Sequence, residues 1–235
     1  MKNKLTIITL LVVLVALAGC SLLPAKKNSD ANPPSTAPLD CDGYGELQLL
    51  DTISGDFMPA PSGVAVSAEG HVYVTDDARQ MVLAFSSDDL TTSAKEIGGE
   101  GSGLGQFVHP REIALDKEGN LYVLDDGNSR VQKLSPAGDP IAVFGRRQDF
   151  SAYFSLQDGY DEPLSALAVD EEGNVYVGLS GANYDISPHA LIKFSPNGDK
   201  LWEVESTLEG NVDLFPFAWP ESIVVGPEGT LYVAH

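Results

Sequence analysis

Apolar residues in the body of the chain come in short runs. Each run is closed by Gly, Pro, Asn or Asp, and no helical period of comparable strength appears. Four segments share one pattern: SGVAVSAEGHVYVTDD (62–77), REIALDKEGNLYVLDD (111–126), SALAVDEEGNVYVGLS (165–180) and ESIVVGPEGTLYVAH (221–235). Gly70, Gly119, Gly173 and Gly229 are spaced by 49, 54 and 56 residues. Tyr73, Tyr122, Tyr176 and Tyr232 keep those spacings, as do Glu69, Glu118, Glu172 and Glu228. A pattern that recurs about every fifty residues marks a repeat architecture.

Within each unit a first β-rich run leads into a Glu-Gly turn and then into a second run, VYV or LYV. That is a β-hairpin, with glycine free to take a positive φ in the turn. The runs are apolar almost throughout instead of alternating, which predicts strands covered on both faces. Third runs follow at 81–85, 130–134 and 191–194, and fourth runs at 141–145 and 200–204. Four short strands per unit of about fifty residues predict an all-β propeller. The blade units fall at about 58–106, 107–160 and 161–212, with a partial unit at 213–235.

Residues 97–145 carry a Gly-rich approach, then Gln106, Phe107, Pro110, Asp116, Gly119, Asn120, Asp125, Asn128, Arg130 and Gly138 in order. This stretch resembles an NHL repeat. The resemblance covers about 50–235 and is strongest in this unit. It implies a β-propeller, usually of six blades, that works as a binding scaffold or occasionally as an enzyme. The repeats depart from one another in telling ways. The Asp of the second strand is present as Asp76 and Asp125 but becomes Leu179 and His235. The Arg of the third strand is Arg130 alone, with Met81 and Ala190 in its place. Segments 86–105, 146–160, 179–189 and 205–218 read as long insertions, where a recognition face is usually built. The repeats also predict a C-terminally incomplete ring, continued past His235; closure by oligomerising and a degenerate four-bladed ring are the alternatives. The run 46–53 reads as an unpaired outer strand.

Ahead of the body, Lys2 and Lys4 precede an uncharged apolar stretch from Leu5 to Leu17, and Leu17-Ala18-Gly19-Cys20 follows. The apolar stretch is short of the roughly 20 residues of a spanning helix. The order resembles a bacterial lipoprotein signal with its lipobox, which implies cleavage before Cys20, acylation of Cys20 and extracytoplasmic anchoring. The membrane is the cell membrane or an outer membrane. Residues 20–45 then hold the lipidated Cys and a tether with Pro24, Pro33, Pro34 and Pro38 and no apolar period. Cys41 is left as the odd cysteine, either a free thiol or one whose partner lies elsewhere.

The chain has 235 residues and a formal charge of −20, from 14 Lys+Arg against 34 Asp+Glu. A nucleic-acid partner is excluded as an expectation, because phosphate binding needs a basic surface that releases counterions. Partners are expected to be the membrane, through the lipid, and a protein, peptide or glycan.

Candidate sites follow from the repeat. Asp76, Asp77, Asp125 and Asp126 end second strands, and with Asp161 and Asp185 they would line one rim. Such a ring suits Ca²⁺. The local alternative is that Asp caps the turn and pairs with the Asn-x-Arg loop around Arg130. His109, His189 and His235 fall on one propeller face and are weak zinc candidates, with separate loop histidines as the alternative. Phe215, Phe217 and Trp219, in LFPFAWP (214–220), form a candidate binding patch, set against packing between blades. The glycines from Gly98 to Gly105 precede no Walker Lys-Ser/Thr, and no serine elbow or Cys-His pair occurs. The functional expectation is a membrane-anchored binding scaffold with no resident cofactor and no catalytic residues assigned. The alternative is a propeller enzyme, a metal-dependent lyase or a lactonase-like hydrolase.

Overall fold

The computed structural model describes residues 58–86, 89–145, 149–150, 164–180, 189–206, 220–226 and 229–234. They fold as up-and-down antiparallel sheets. The first sheet runs β1 (Pro61–Val66), β2 (Val72–Asp76), β3 (Met81–Ser86) and β4 (Asp89–Gly98). The second runs β5 (Pro110–Leu115), β6 (Leu121–Asp125), β7 (Arg130–Leu134) and β8 (Pro140–Phe144). The third runs β9 (Leu164–Val169), β10 (Val175–Leu179), β11 (His189–Phe194) and β12 (Lys200–Ser206), and a last hairpin pairs β13 (Ser222–Val225) with β14 (Leu231–Ala234). Spatial order equals chain order in each sheet, which makes each one a propeller blade.

The first strands stand side by side: β1 lies against β5, β5 against β9 and β9 against β13. The core sits between successive sheets. Tyr73, Val82 and Ile97 of the first sheet meet Phe107, Ile113 and Leu121. Tyr122, Val131 and Phe144 meet Leu167, Val177 and Phe194 across the next interface. Ala166, Tyr176 and Leu191 meet Ile223 across the third. Each such aromatic or branched side chain contributes about 1.5–3 kcal/mol by leaving water.

The second strands β2, β6 and β10 are buried at every position, as their unbroken apolar runs predict. The first strands differ: Val64 and Val66 of β1 and Val224 of β13 are exposed. Segment 86–105 is corrected from an insertion, because β4 occupies Asp89–Gly98 and completes the first sheet. Its Ser, Thr and Lys residues suit an outer strand, which pairs along only one edge and hides little apolar area. Likewise β12 extends to Ser206, inside the supposed insertion 205–218.

Glycine is required where β1 approaches β5. A Cβ on Gly63 would lie 2.5 Å from the Arg111 carbonyl oxygen. Thr75 on β2 closes the same gap: its hydroxyl donates to the Arg111 carbonyl and accepts from the Gly63 N–H at 2.7 Å. The hairpin turns between first and second strands take positive φ at Gly70, Gly119, Gly173 and Gly229 (84°, 78°, 82° and 75°). Among the described residues no helix is long and apolar enough to cross a membrane. The leader with Cys20, the tether, Cys41 and the run 46–53 lie outside the described residues.

Candidate functional site

The tops of the second strands carry the carboxylates that the repeat singles out. Asp125 ends β6 and is fully buried. It accepts from the Val108 N–H (2.8 Å), Asn128 Nδ2 (2.9 Å), Arg130 Nε (2.7 Å) and Gln132 Nε2 (3.0 Å). The donors then reach outward. Arg130 Nη2 donates to the carbonyls of Gly103 (2.7 Å) and Gln106 (3.0 Å), Asn128 to that of Gly101 (3.0 Å), and Gln132 to that of Gln106 (2.7 Å). The Gly105 N–H donates back to Gln132 Oε1 at 3.0 Å. One buried charge therefore pins the whole loop 101–106 to the blade. Two of its amides close the loop on itself, from Gly101 to the Phe107 carbonyl and from Gln106 to the Gly103 carbonyl.

Asp76 holds the same place on β2 and is equally buried. Its Oδ1 accepts from the N–H groups of Ala60 (3.3 Å) and Arg79 (3.1 Å), while its Oδ2 has no hydrogen-bond partner among the described residues. The register explains the difference. Asp125 stands opposite Arg130, whereas Asp76 stands opposite Met81.

The next residue along ties neighbouring blades. Asp126 is fully buried; its Oδ1 accepts from the Leu164 N–H of β9 (3.0 Å), and its Oδ2 pairs with Arg111 Nε (2.8 Å). Asp77 makes the equivalent tie one blade earlier, with its Oδ1 2.9 Å from His109 Nδ1. The His109 N–H donates to Gln80 Oε1 (2.6 Å), and its carbonyl accepts from the Asp126 N–H (3.3 Å). His109 takes φ +51°, a left-handed value that few side-chain-bearing residues adopt.

A second repeated constellation escaped the sequence reading. Asp116 accepts from the Asn120 N–H (2.8 Å), Asn120 Nδ2 (2.9 Å) and the Tyr122 hydroxyl (3.3 Å), and pairs with Lys133 Nζ at 2.9 Å. Lys133 Nζ also lies 4.9 Å from the Tyr122 ring centroid. Asp170, Asn174, Tyr176 and Lys193 repeat this in the third sheet. Burial pushes both carboxyls up, but hydrogen bonds from the Asn side chain and the nearby Lys outweigh it and hold them below the usual range. Burial likewise works against the charge of Lys133 and Lys193, yet Tyr and Asp contacts hold both above the ordinary lysine value. The third-sheet group borders a groove of ≈ 840 Å³ that Glu171, Glu172, Gly226 and Gly229 also line. The signal in the sequence was Asp-x-x-x-Asn-x-Tyr, at 116–122 and again at 170–176.

The histidines are set apart by burial. His189 opens β11 and is buried, which pushes its pKa down, whereas His109 is half exposed. Among the described residues no His, Cys, Asp and Glu come together as three or more metal ligands. Trp202 lies on β12 and packs edge-on against Tyr176, with ring centroids 6.0 Å apart. Asp161, Asp185, Phe215, Phe217, Trp219 and His235 lie outside the described residues.

The residues that clasp the loop, Asp125 and Arg130, fall within a match to a known family, described as NHL repeat, over residues 107–134. No curated protein matches the chain significantly. Among solved structures the chain is similar to virginiamycin B lyase from Staphylococcus aureus, at 13% identity and a TM-score of 0.47, over 74% of this chain and 48% of that one. A catalytically inactive form of that lyase with quinupristin gives 14% and 0.48, over 74% and 48%. A streptogramin B lyase gives 16% and 0.47, over 74% and 47%. The chain thus spans about half the length of these structures. Likeness at this level says nothing of activity.

Proposed function

We propose that the chain is a lipid-anchored, extracytoplasmic NHL-type propeller that serves as a binding scaffold for a protein, peptide or glycan. The observation that carries this reading is the use made of the rim carboxylates. Asp125 and Asp126 are fully buried and spent on framework bonds, to the 101–106 loop and to the next blade. They brace the rim, so that its loops stand on a rigid frame, as recognition surfaces require. The basic n-region, apolar h-region and Leu-Ala-Gly-Cys support acylation at Cys20, and the Pro-rich tether supports display off the membrane.

Two measurements test this. A Cys20→Ser chain should leave the membrane fraction; retention there with the leader cleaved would sink the anchoring. Crosslinking of the anchored chain in intact cells should trap a defined partner through the rim, and a rim with no neighbour would sink the scaffold. The second reading is a propeller enzyme. On its side stands the His109 imidazole held by Asp77, an arrangement that general bases share. One equivalent of metal in the pure protein, or turnover lost on changing His109, would move the chain to that reading.

A further inference from the structure

We propose that the groove between the third sheet and the last hairpin docks a basic side chain, a lysine or arginine carried by a peptide. The groove lies beside the turns that join first to second strands, at the opposite end of the strands from Asp125. It therefore adds a site to the rim and does not depend on it. Its volume of ≈ 840 Å³ falls among ordinary ligand sites, about 300–1,000 Å³. Its opening follows from how the turns stand. A Cβ on Gly173 would lie 3.9 Å from the Tyr122 hydroxyl of the preceding sheet, whereas one on Gly229 would have nothing within 4 Å. The last turn does not close on Tyr176 as the third sheet's turn closes on Tyr122.

The charge along the groove is unbalanced. Asp170 is already engaged: its Oδ1 accepts from the Asn174 N–H (2.7 Å), and its Oδ2 from Asn174 Nδ2 (2.7 Å) and the Tyr176 hydroxyl (2.9 Å), with Lys193 Nζ at 3.5 Å. Lys193 is matched by that carboxylate. Glu171 and Glu172 follow directly; both are exposed, and neither makes a hydrogen bond or ion pair among the described residues. The repeat does not ask for this pair. The corresponding dipeptides are Ala68-Glu69, Lys117-Glu118 and Pro227-Glu228, and Lys117 pairs with Glu118 at 3.8 Å. Only the third turn carries two consecutive glutamates. Val169 and Val225, both partly buried, also line the groove. A lysine or arginine suits both features: its methylene stem covers valine surface while its charged head meets the carboxylates. Calcium suits them less, because it takes about six to eight oxygens and those of Asp170 already hold donors. The formal charge of −20 draws cations in at long range, which favours the same ligand.

The test titrates the tripeptide triarginine into the full chain in detergent and reads the heat of binding. Saturable binding is expected at low salt, weaker at about 0.15 M sodium chloride. Glu171→Gln combined with Glu172→Gln is expected to weaken it about tenfold, because the charge-assisted contacts are lost. Glu69→Gln combined with Glu100→Gln removes the same charge from exposed positions away from the groove, and should change binding by less than about twofold. Thermal melts confirm that both double variants are folded, so a weak result reports binding. No saturable heat, or equal affinity in the Glu171/Glu172 variant, overturns the proposal. Equal weakening in the Glu69/Glu100 variant overturns it too, since the attraction would then belong to the net charge and not to the groove. Triarginine is read without any macromolecular partner, so this inference and the rim's scaffold role can fail separately.

Discussion

Asp125 and Asp76 occupy one place in two blades, yet only one of them faces a guanidinium. Replacing Arg130 with Met would give the second blade the first blade's arrangement and leave a fully buried carboxylate without its cation. The expected loss is about 3–5 kcal/mol, because a broken buried pair forfeits attraction that no longer offsets desolvation. Urea unfolding checks it, and a loss within error would show that Asn128 and Gln132 suffice. The reverse change, Met81→Arg, supplies the donor that Asp76 Oδ2 lacks, across the register pair Asp76–Met81. A gain of about 1 kcal/mol is expected, a charge-assisted bond less the cost of ordering the arginine. A lower melting temperature would show that the site cannot admit a guanidinium. His189 sets a pH dependence. Burial lowers its folded pKa below the ordinary 6.5, so on acidification the unfolded chain takes up the proton first. The stability it contributes is whole above 6.5 and is lost as pH falls through the folded value. Urea midpoints at about pH 7.5 and about pH 5 should differ, and the difference should shrink in His189→Gln.

At the scale of elements, the hairpin between first and second strands is held by a carboxylate that also anchors the third strand. Asp170→Ala strips the Asn174 amide, the Tyr176 hydroxyl and Lys193 of their shared acceptor, and a loss of about 1–3 kcal/mol is expected by chemical unfolding. The folded pKa of Asp170 is lowered, so its stabilisation is complete above 3.8 and fades as pH falls through the folded value. The variant's deficit should therefore shrink in acid; a deficit constant down to that range would mean that shape, not charge, is what Asp170 provides. This element also shows what a sequence discloses. Second strands were legible because burial on both faces leaves an unbroken apolar run. Outer strand β4 was not, since Thr91, Thr92, Ser93 and Lys95 read as loop when one edge faces water. The Asp-Asn-Tyr half of the box repeats at constant spacing, but its lysine does not: Lys133 follows Asp116 by 17 residues and Lys193 follows Asp170 by 23. Only the strand register, Tyr122 opposite Lys133 and Tyr176 opposite Lys193, brings them together. The Asp125–Arg130 clasp was legible as one of two alternatives, whereas the Asp77–His109 tie was not, because its partners come from two blades.

For the whole molecule the governing quantity is charge. With 34 acidic against 14 basic side chains, most carboxylates have no cation to face. Some of the cations are tied down locally, as in Lys200–Glu203 and Arg79–Glu96. The remaining carboxylates repel one another in the folded state more than in the expanded chain, which holds them farther apart. Added salt shortens the reach of that repulsion from about 30 Å at 0.01 M to about 8 Å at 0.15 M. It also weakens the exposed pairs, but those contribute only about 0–1 kcal/mol each. Repulsion among the many outweighs attraction among the few, so the melting temperature should rise with sodium chloride over this range. The same charge predicts no binding to DNA at physiological salt, since a net charge of −20 repels phosphates and offers few cations to release counterions. Melts in sodium chloride at constant pH decide the first point. A melting temperature that fell with salt would mean that pairs such as Arg111–Asp126 and Lys133–Asp116, and not the net charge, dominate the electrostatics of the fold.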